Sequence, residues 1–238
     1  MTTPYGKLIV TADPEALART AADQILAWTT ETKGPVRIAL SGGSTPRRTY
    51  QELAGTRLVN KFPWQTVHWY WGDERFVPPD DAESNYRMVR EAMLDKAPIP
   101  PENIHPVPTV GLTADEAAAQ YEKLLRDTGA DAASGRPLFD VCLLGLGDDG
   151  HTASLIPGEP VLQERKRWVA VVGHGRPEVR ITLTYPAIDL SRHIAFLVSG
   201  AAKNAILKEV VAGGSSVPAA KLAPLGDLTF IADRAAAA

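Results

Sequence analysis

Two carboxylates and an imidazole stand together in one short segment of the sequence, at Asp148, Asp149 and His151. They follow a continuously apolar run, residues 141–144, which is typical of a strand buried on both faces. The glycines between them allow a sharp turn at the end of that strand, where open α/β sheets bind ligands. A histidine beside acids can remove a proton from water. The segment is therefore a candidate catalytic centre.

The glycines of this segment also match the dinucleotide-binding pattern G-x-G-x-x-G over residues 145–150. The context argues against that function. Asp148 and Asp149 would repel a pyrophosphate, and Pro157 and Gly158 interrupt the helix that should follow. About 20 residues after the glycines, where a ribose-binding acid is expected, residues 168–172 read Trp-Val-Ala-Val-Val without one. We therefore reject dinucleotide binding.

A second candidate is the segment Ser-Gly-Gly-Ser-Thr-Pro at residues 41–46, which follows the apolar run 36–40. We expect a helix from Pro46 to about Gly55, with Ser44 or Thr45 as its cap. Glycine backbone N–H groups, hydroxyls and a helix N-terminus together can bind a phosphate. An ordinary strand-to-helix turn fits the same residues, so both interpretations stay open. The lysine of a nucleoside-triphosphate loop is missing.

Charged residues follow two more predicted strands. Asp73 and Arg75 come directly after residues 67–71, and Lys203 follows the run 193–198. Asp73 and Arg75 could simply form an ion pair in a solvated turn. If all four segments lie at one edge of a parallel sheet, however, they converge there. Lys203, with Arg180, then favours a phosphorylated small molecule as the ligand.

The pattern of elements predicts an α/β fold. At least six strand-like runs alternate with four or five helical segments, which is typical of βαβ units. We expect one doubly wound, mostly parallel sheet with helices on both faces. The composition does not shift along the chain, so we expect one domain over residues 1–238. Residues 179–184 alternate, which predicts a strand with one polar face.

The composition of the chain limits which partners we expect it to bind and in which cellular compartment we expect it. A net charge of −3 without a basic cluster makes nucleic acid or an anionic membrane an improbable partner. We find no signal peptide and no apolar stretch of the ~20 residues that a membrane span needs. Cys142 is the single cysteine, which excludes an internal disulfide and favours a reducing, cytoplasmic location.

The absence of several motifs from the sequence argues against some classes of catalysis. The sequence has no H-x-H or H-E-x-x-H pair for a catalytic metal and no G-x-S-x-G element for serine hydrolysis. The other four histidines have structural interpretations: His68 is in a strand, His105 is among prolines, His174 is in a glycine-rich turn, and His193 starts a strand. Acid–base chemistry on a sugar phosphate remains, with His151 as the group that activates water.

Five motifs in this order give the chain a resemblance to a known family. They are residues 40–46 (Leu-Ser-Gly-Gly-Ser-Thr-Pro), 71–75 (Trp-Gly-Asp-Glu-Arg) with 83–86 (Glu-Ser-Asn-Tyr), 145–151 (Gly-Leu-Gly-Asp-Asp-Gly-His) with 157–158, 180–184 (Arg-Ile-Thr-Leu-Thr), and 199–203 (Ser-Gly-Ala-Ala-Lys). The chain resembles the 6-phosphogluconolactonases of the glucosamine-6-phosphate isomerase/6-phosphogluconolactonase family over about residues 8–233. The resemblance implies a Rossmann-like fold and hydrolysis of 6-phosphoglucono-1,5-lactone in the pentose phosphate pathway. It also implies that the reaction needs no metal and no organic cofactor.

The resemblance also implies roles for individual residues. His151 would be the general base, Asp149 would orient it, and Asp73 would line the same pocket. Arg75 would offset the charge that develops on the lactone carbonyl. The 6-phosphate would be held by the remaining site residues: Ser41, Gly42, Gly43, Ser44, Arg180 and Lys203.

Two alternatives stay open. The related deaminases carry a glutamate five residues after the histidine, where this sequence has Ile156 and its nearest acid is Glu159. A non-catalytic sugar-phosphate sensor would need an attached DNA-binding or partner domain, and we expect none before residue 8 or after residue 233. The substrate is then a small sugar-phosphate lactone, and we expect a monomer or weak oligomer.

Overall fold

The computed structural model describes residues 1–173 and 177–238, so His174 lies outside the described residues. Eleven strands occur in the described ranges, and we number them in chain order. They are β1 (Thr2–Thr3), β2 (Gly6–Thr11), β3 (Val36–Leu40), β4 (Val67–Trp71), β5 (Asp73–Arg75), β6 (Ile104–His105), β7 (Phe139–Leu144), β8 (Val169–Val172), β9 (Arg180–Leu183), β10 (Ser191–Val198) and β11 (Asp227–Asp233).

Eight of these strands form one sheet, in the order β1-β2-β11-β10-β7-β3-β4-β6. Every neighbouring pair is parallel except β1 with β2. All six residues of β7 are buried, as expected for a strand covered on both faces. From β3 the sheet extends through β4 and β6 on one side, and from β7 it extends through β10 and β11 on the other, so the β7–β3 pair is the topological switch point. The predicted doubly wound, mostly parallel α/β fold is confirmed.

Seven α-helices connect or flank the strands in the described part of the chain. They are α1 (Pro14–Glu31), α2 (Ser44–Leu53), α3 (Asn85–Ala92), α4 (Ala114–Arg126), α5 (Tyr185–Ile188), α6 (Asn204–Ala212) and α7 (Arg234–Ala237). Local sequence signals account for several of their starts. Asp13 accepts a hydrogen bond from Ala16 N at 2.7 Å before α1, and Thr113 forms a capping box with Glu116 before α4. None of the described helices has the length and apolar character to cross a membrane.

The start of α2 differs from the prediction. The helix begins at Ser44 rather than Pro46, and its cap is Gly43, which makes no side-chain cap bond. Gly43 has a φ of 100°, a conformation that residues with a side chain rarely adopt. The chain therefore enters the helix two residues early. Pro46 is tolerated within the first turn, because backbone N–H groups there have no helical partner.

A second, antiparallel sheet was not predicted. Its strand order is β5-β9-β8, and Asp73–Arg75, which we expected to be a loop after β4, is its strand β5. Gly72 connects the two sheets, because its N–H donates to Leu40 O and its carbonyl accepts from Leu183 N, both at 2.8 Å. The strand predicted within residues 179–184 is β9, and Thr182 and Thr184 on the predicted polar face are buried.

Candidate active site

A cavity of about 340 Å³ lies where β3, β7 and β10 end and where β5 and β9 run alongside them. The four predicted segments converge there, as the parallel sheet requires. Every site residue named from the sequence lines this cavity except Asp149: the lining includes Ser41, Gly42, Gly43, Ser44, Asp73, Arg75, His151, Arg180 and Lys203.

His151 and Asp149 form a hydrogen-bonded pair beside the cavity. His151 Nδ1 lies 2.5 Å from Asp149 Oδ1, and the backbone N–H of His151 donates to the same oxygen at 3.1 Å. Because an ionised carboxylate can only accept, Nδ1 carries a proton, and the neutral imidazole therefore has its lone pair on Nε2. Burial alone would raise the pKa of Asp149, but the hydrogen bonds from His151 outweigh it and the pKa is lowered. Asp149 therefore fixes His151 in the form that accepts a proton.

Gly147 explains why glycine is needed in this segment. A Cβ at this position would lie only 2.0 Å from His151 Nδ1. Gly147 N also donates to His151 O at 2.8 Å, and Gly150 N donates to Gly147 O at 3.0 Å. The glycines serve a tight turn that packs its backbone against the imidazole, not a nucleotide.

Asp73 accepts hydrogen bonds from Ser154 and Asn85, which the sequence analysis did not select. Ser154 Oγ donates to Asp73 Oδ2 at 2.7 Å, and both residues are buried. Asn85 lines the cavity and donates through Nδ2 to Asp73 O at 2.9 Å. A Cβ at Gly42 would lie 2.1 Å from Asn85 Oδ1, so glycine allows this amide to pack against the loop after β3.

Two buried tyrosines fix the ends of the strands that lead into the site. The Tyr50 hydroxyl donates to Ser41 O at 2.8 Å and accepts from Ser41 N at 2.9 Å. The Tyr121 hydroxyl donates to Trp71 O at 3.0 Å and accepts from Trp71 N at 2.8 Å. Burial raises the pKa of both phenols, so they keep the proton that these bonds need.

Arg75 and Arg180 face each other across the β5–β9 pair, and both line the cavity. Arg75 Nη1 donates to Glu83 O at 2.8 Å and to Glu83 Oε2 at 3.0 Å, and Arg180 Nη2 contacts Glu178. The Nε atoms of both arginines are buried without a hydrogen-bond partner in residues 1–173 and 177–238. Because both guanidinium groups line the cavity, their remaining N–H groups can donate to an anion there.

The segment after β10 is fixed by Asp233 at the end of β11. Asp233 accepts from Ser199 Oγ at 2.6 Å and from Gly200 N at 3.0 Å, and it also caps α7. Residues 201–203 form one 3-10 turn rather than the start of a continuous α-helix. Lys203 Nζ reaches from this turn to Asp148 Oδ1 at 2.5 Å.

Glu74 anchors the start of α3 to β5. Its carboxyl accepts from the backbone N–H groups of Arg75, Asn85 and Tyr86 at 2.7–2.8 Å, and Ser84 Oγ lies at 3.3 Å. Burial raises the pKa of Glu74 to about 7, while the backbone hydrogen bonds act in the opposite direction. Glu74 therefore positions Arg75 and Asn85, although it does not itself line the cavity.

Some of the residues that the sequence analysis missed carry a signal in the sequence, and others do not. Asn85 belongs to the motif 83–86 and could have been selected from it. Ser154 and Asp233 carry no local signal, because their partners Asp73 and Ser199 stand 81 and 34 residues away.

Comparison with known proteins identifies the family. Residues 12–230 match the family model described as glucosamine-6-phosphate isomerases/6-phosphogluconolactonase. The chain belongs to this family. It is 41% identical over 235 residues to a 6-phosphogluconolactonase of Nostoc sp., an alignment that covers 96% of each chain.

Solved structures of family members agree with this fold. The 6-phosphogluconolactonase from Trypanosoma brucei superposes with a TM-score of 0.85 at 30% identity, over 98% of this chain and 97% of that one. A monomeric glucosamine-6-phosphate deaminase superposes almost as well, with a TM-score of 0.83 at 23% identity, over 97% of this chain and 98% of its own. At that identity the likeness shows the fold alone, so the fold does not separate the two reactions. The side chains of the site must do so.

Proposed function

We propose that this chain hydrolyses 6-phospho-D-glucono-1,5-lactone to 6-phospho-D-gluconate, as a 6-phosphogluconolactonase of the pentose phosphate pathway. The observation that carries the proposal is the His151–Asp149 pair at the edge of a cavity that the cationic side chains of Arg75, Arg180 and Lys203 also line. A base that activates water and a binding site for an anion are the two requirements of this reaction. The high identity to the Nostoc lactonase over nearly the whole chain supports the same reaction.

In the proposed mechanism, His151 Nε2 removes a proton from water as the oxygen attacks the lactone carbonyl. Asp149 keeps the proton on Nδ1 and stabilises the imidazolium that forms. The carbonyl oxygen becomes negative in the tetrahedral intermediate, and Arg75 is the proposed group that offsets this charge. Collapse of the intermediate breaks the bond to the ring oxygen, and the proton held by His151 is available to that oxygen.

The phosphate is proposed to bind the loop after β3 together with Arg180 and Lys203. Gly43 and Ser44 stand at the N-terminus of α2, where backbone N–H groups without helical partners and the helix dipole favour an anion. The guanidinium group of Arg180, which lines the cavity, adds a further donor. The backbone of Ser41 is already fixed by Tyr50, so little of this loop needs to become ordered on binding.

The deaminase alternative lacks a required acid. Ile156 occupies the position five residues after His151 where deaminases carry a glutamate, and it is buried and apolar. This difference favours lactone hydrolysis over ring opening and deamination of an amino sugar phosphate.

The experiment is to generate the lactone in situ and to follow acid release above the spontaneous rate. We compare the wild type with His151→Ala and Asp149→Asn, and use Asp127→Asn as a matched control on the exposed end of α4. We expect His151→Ala to lower kcat by about 10²–10⁴-fold and Asp149→Asn to lower it less, with the control unchanged. No acceleration by the wild type would refute lactone hydrolysis, and glucosamine 6-phosphate would be the next substrate. Acceleration that survives in His151→Ala would move the base elsewhere, with Asp73 the next residue to test.

Four further statements remain predictions of the sequence. The activity resides in one α/β domain with its core at about residues 8–233. The protein acts in the cytoplasm, as a monomer or weak oligomer, and does not bind nucleic acid.

A further inference from the structure

Among the described residues, each cation that lines the cavity has a carboxylate partner. The three pairs are Arg75 with Glu83, Arg180 with Glu178, and Lys203 with Asp148. An unliganded site with three uncompensated positive charges would be costly because of their mutual repulsion, so each cation carries its own counter-ion. An incoming dianion must therefore engage cations that are already paired.

The three pairs are not equivalent in position. Glu83 and Glu178 do not line the cavity, and they hold the terminal nitrogens of arginines whose Nε atoms stay unpartnered in the described part of the chain. These two acids can orient the arginines without occupying the ligand's place. Asp148 does line the cavity, and its Oδ1 lies 2.5 Å from Lys203 Nζ. An anion that binds Lys203 from the cavity meets Asp148 at the same ammonium group.

We infer that the Asp148 carboxylate competes with the phosphate group of the ligand for Lys203, and that this competition sets how tightly phosphorylated ligands bind. This inference rests on the proposed function and deepens it, because it names a residue that determines affinity in the same site. Asp148 is not proposed to touch the reacting carbonyl. Its neighbour Asp149 contacts His151, whereas the side chain of Asp148 contacts the ammonium group of Lys203.

The exposure of the pair sets the size of the effect. The Asp148 side chain is 74% exposed and that of Lys203 is 27% exposed. Ion pairs in such surroundings are weak, so the phosphate can displace Asp148 without a large loss of affinity. Removal of the carboxylate charge should therefore tighten binding by only about two- to fivefold.

The test compares the wild type with Asp148→Asn, which keeps the shape and removes the charge. Isothermal titration with 6-phosphogluconate and with inorganic phosphate measures affinity directly, and lactone hydrolysis gives kcat and KM separately. We expect Kd and KM to fall about two- to fivefold while kcat stays within about twofold. Glu159→Gln is the matched control, since it removes one negative charge from a half-buried acid of the same connection, whereas the ion pair of Lys203 is with Asp148. Unchanged or weaker binding by Asp148→Asn, or an equal gain in the control, would overturn the inference.

A double-mutant cycle separates competition for Lys203 from general repulsion. In a Lys203→Met background, Asp148→Asn should lose most of its effect, because no ammonium group remains to be released. An undiminished effect in that background would contradict the proposed role. Wild-type hydrolysis is measured in the same series. If the wild type fails to hydrolyse the lactone, the proposed function fails, whereas phosphate titration still decides the role of Asp148. If hydrolysis is present and the titrations do not differ, only the inference fails.

Discussion

At the scale of single residues, the chemistry depends on contacts within one short segment. Asp149 bonds both the ring and the backbone of His151, and Gly147 packs its backbone against the same ring. These three residues lie within five positions of one another, so their relation is fixed locally. A base positioned in this way needs little reorganisation when the reaction begins.

Gly147→Ala tests this packing. The added Cβ would lie 2.0 Å from His151 Nδ1, so the ring must move or the turn must open. We expect kcat to fall by at least about 100-fold, since displacement of a catalytic group by about 1 Å has this effect. Thermal denaturation checks that the variant is folded.

The matched comparison is Gly145→Ala in the same segment. There the added methyl group meets only Ser41 Oγ, at an ordinary 3.7 Å. We expect a much smaller loss of kcat than in Gly147→Ala. Similar losses in both variants would mean that the segment is intolerant of any side chain, and the specific contact with the imidazole would not be the reason.

At the scale of elements, the site depends on strand ends that are anchored by residues far away in the sequence. Tyr50 of α2 fixes the end of β3, Tyr121 of α4 fixes the end of β4, and Asp233 of β11 fixes the segment after β10. Each anchor connects neighbouring elements by hydrogen bonds. The loops of the site therefore have defined positions although they lie at the edge of the sheet.

Asp233→Asn tests one of these anchors. We expect a loss of about 1–3 kcal/mol in the free energy of unfolding, because a charged acceptor of buried hydrogen bonds is replaced. We also expect a higher KM for the lactone, since Ser199 and Gly200 hold the turn that carries Lys203. Urea denaturation and steady-state kinetics at neutral pH measure the two effects. Asp227→Asn, at the exposed start of the same strand, is the control and should lose at most about 1 kcal/mol.

The effect of Asp233→Asn should depend on pH. Burial by itself raises the pKa of Asp233, but hydrogen bonds from Ser199, Ala236 and Gly200 outweigh it and lower the pKa. A lowered pKa in the folded state stabilises the protein above the ordinary value of about 4, and this contribution is lost as the pH falls through the folded value. The stability difference from the wild type should therefore shrink below about pH 4. A difference that stays constant there would contradict the role of the ionised carboxylate.

At the scale of the whole molecule, the cavity exists because two sheets meet. The parallel sheet supplies the ends of β3, β7 and β10, and the antiparallel sheet supplies Arg75 and Arg180 from β5 and β9. Gly72 passes the chain from one sheet to the other, and Glu74 then fixes β5 to the start of α3. A buried acid at this junction connects the stability of the fold to pH.

Glu74→Gln tests that connection. Because burial raises the pKa of Glu74 from 4.5 to about 7, the folded state holds its proton more tightly than the unfolded state. The resulting stabilisation is fully present below about pH 4.5 and is lost as the pH rises through about 7. Between these values the wild type should lose about 3 kcal/mol relative to Glu74→Gln. Urea denaturation of both proteins at pH 5 and pH 8 measures this change.

The control for this measurement is Glu102→Gln, which alters an exposed acid. Its stability relative to the wild type should change little between the two pH values. If the stability difference between the wild type and Glu74→Gln is constant with pH, or changes in favour of the wild type at high pH, Glu74 is ionised at both pH values. The three backbone hydrogen bonds to its carboxylate then outweigh the effect of burial.

The sequence by itself determined the features that depend on local pattern. The apolar run of β7, the cap at Asp13, the capping box at Thr113 and the Asp149–His151 spacing are each set by residues within a few positions. The alternation of strands and helices then implied a parallel sheet, and a parallel sheet brings its strand ends to one edge. The sequence therefore predicted that the four segments of the site converge at this edge of the sheet.

Only the tertiary structure decided the features that depend on partners distant in the sequence. The antiparallel sheet requires Asp73–Arg75 to pair with Arg180–Leu183, more than 100 residues later, and the three charged residues of β5 carry no strand pattern. The hydrogen bonds from Ser154 to Asp73 and from Lys203 to Asp148 likewise join residues that are distant in the sequence. Such contacts are specified by packing of the whole chain rather than by local propensity, which is why pattern and spacing do not reveal them.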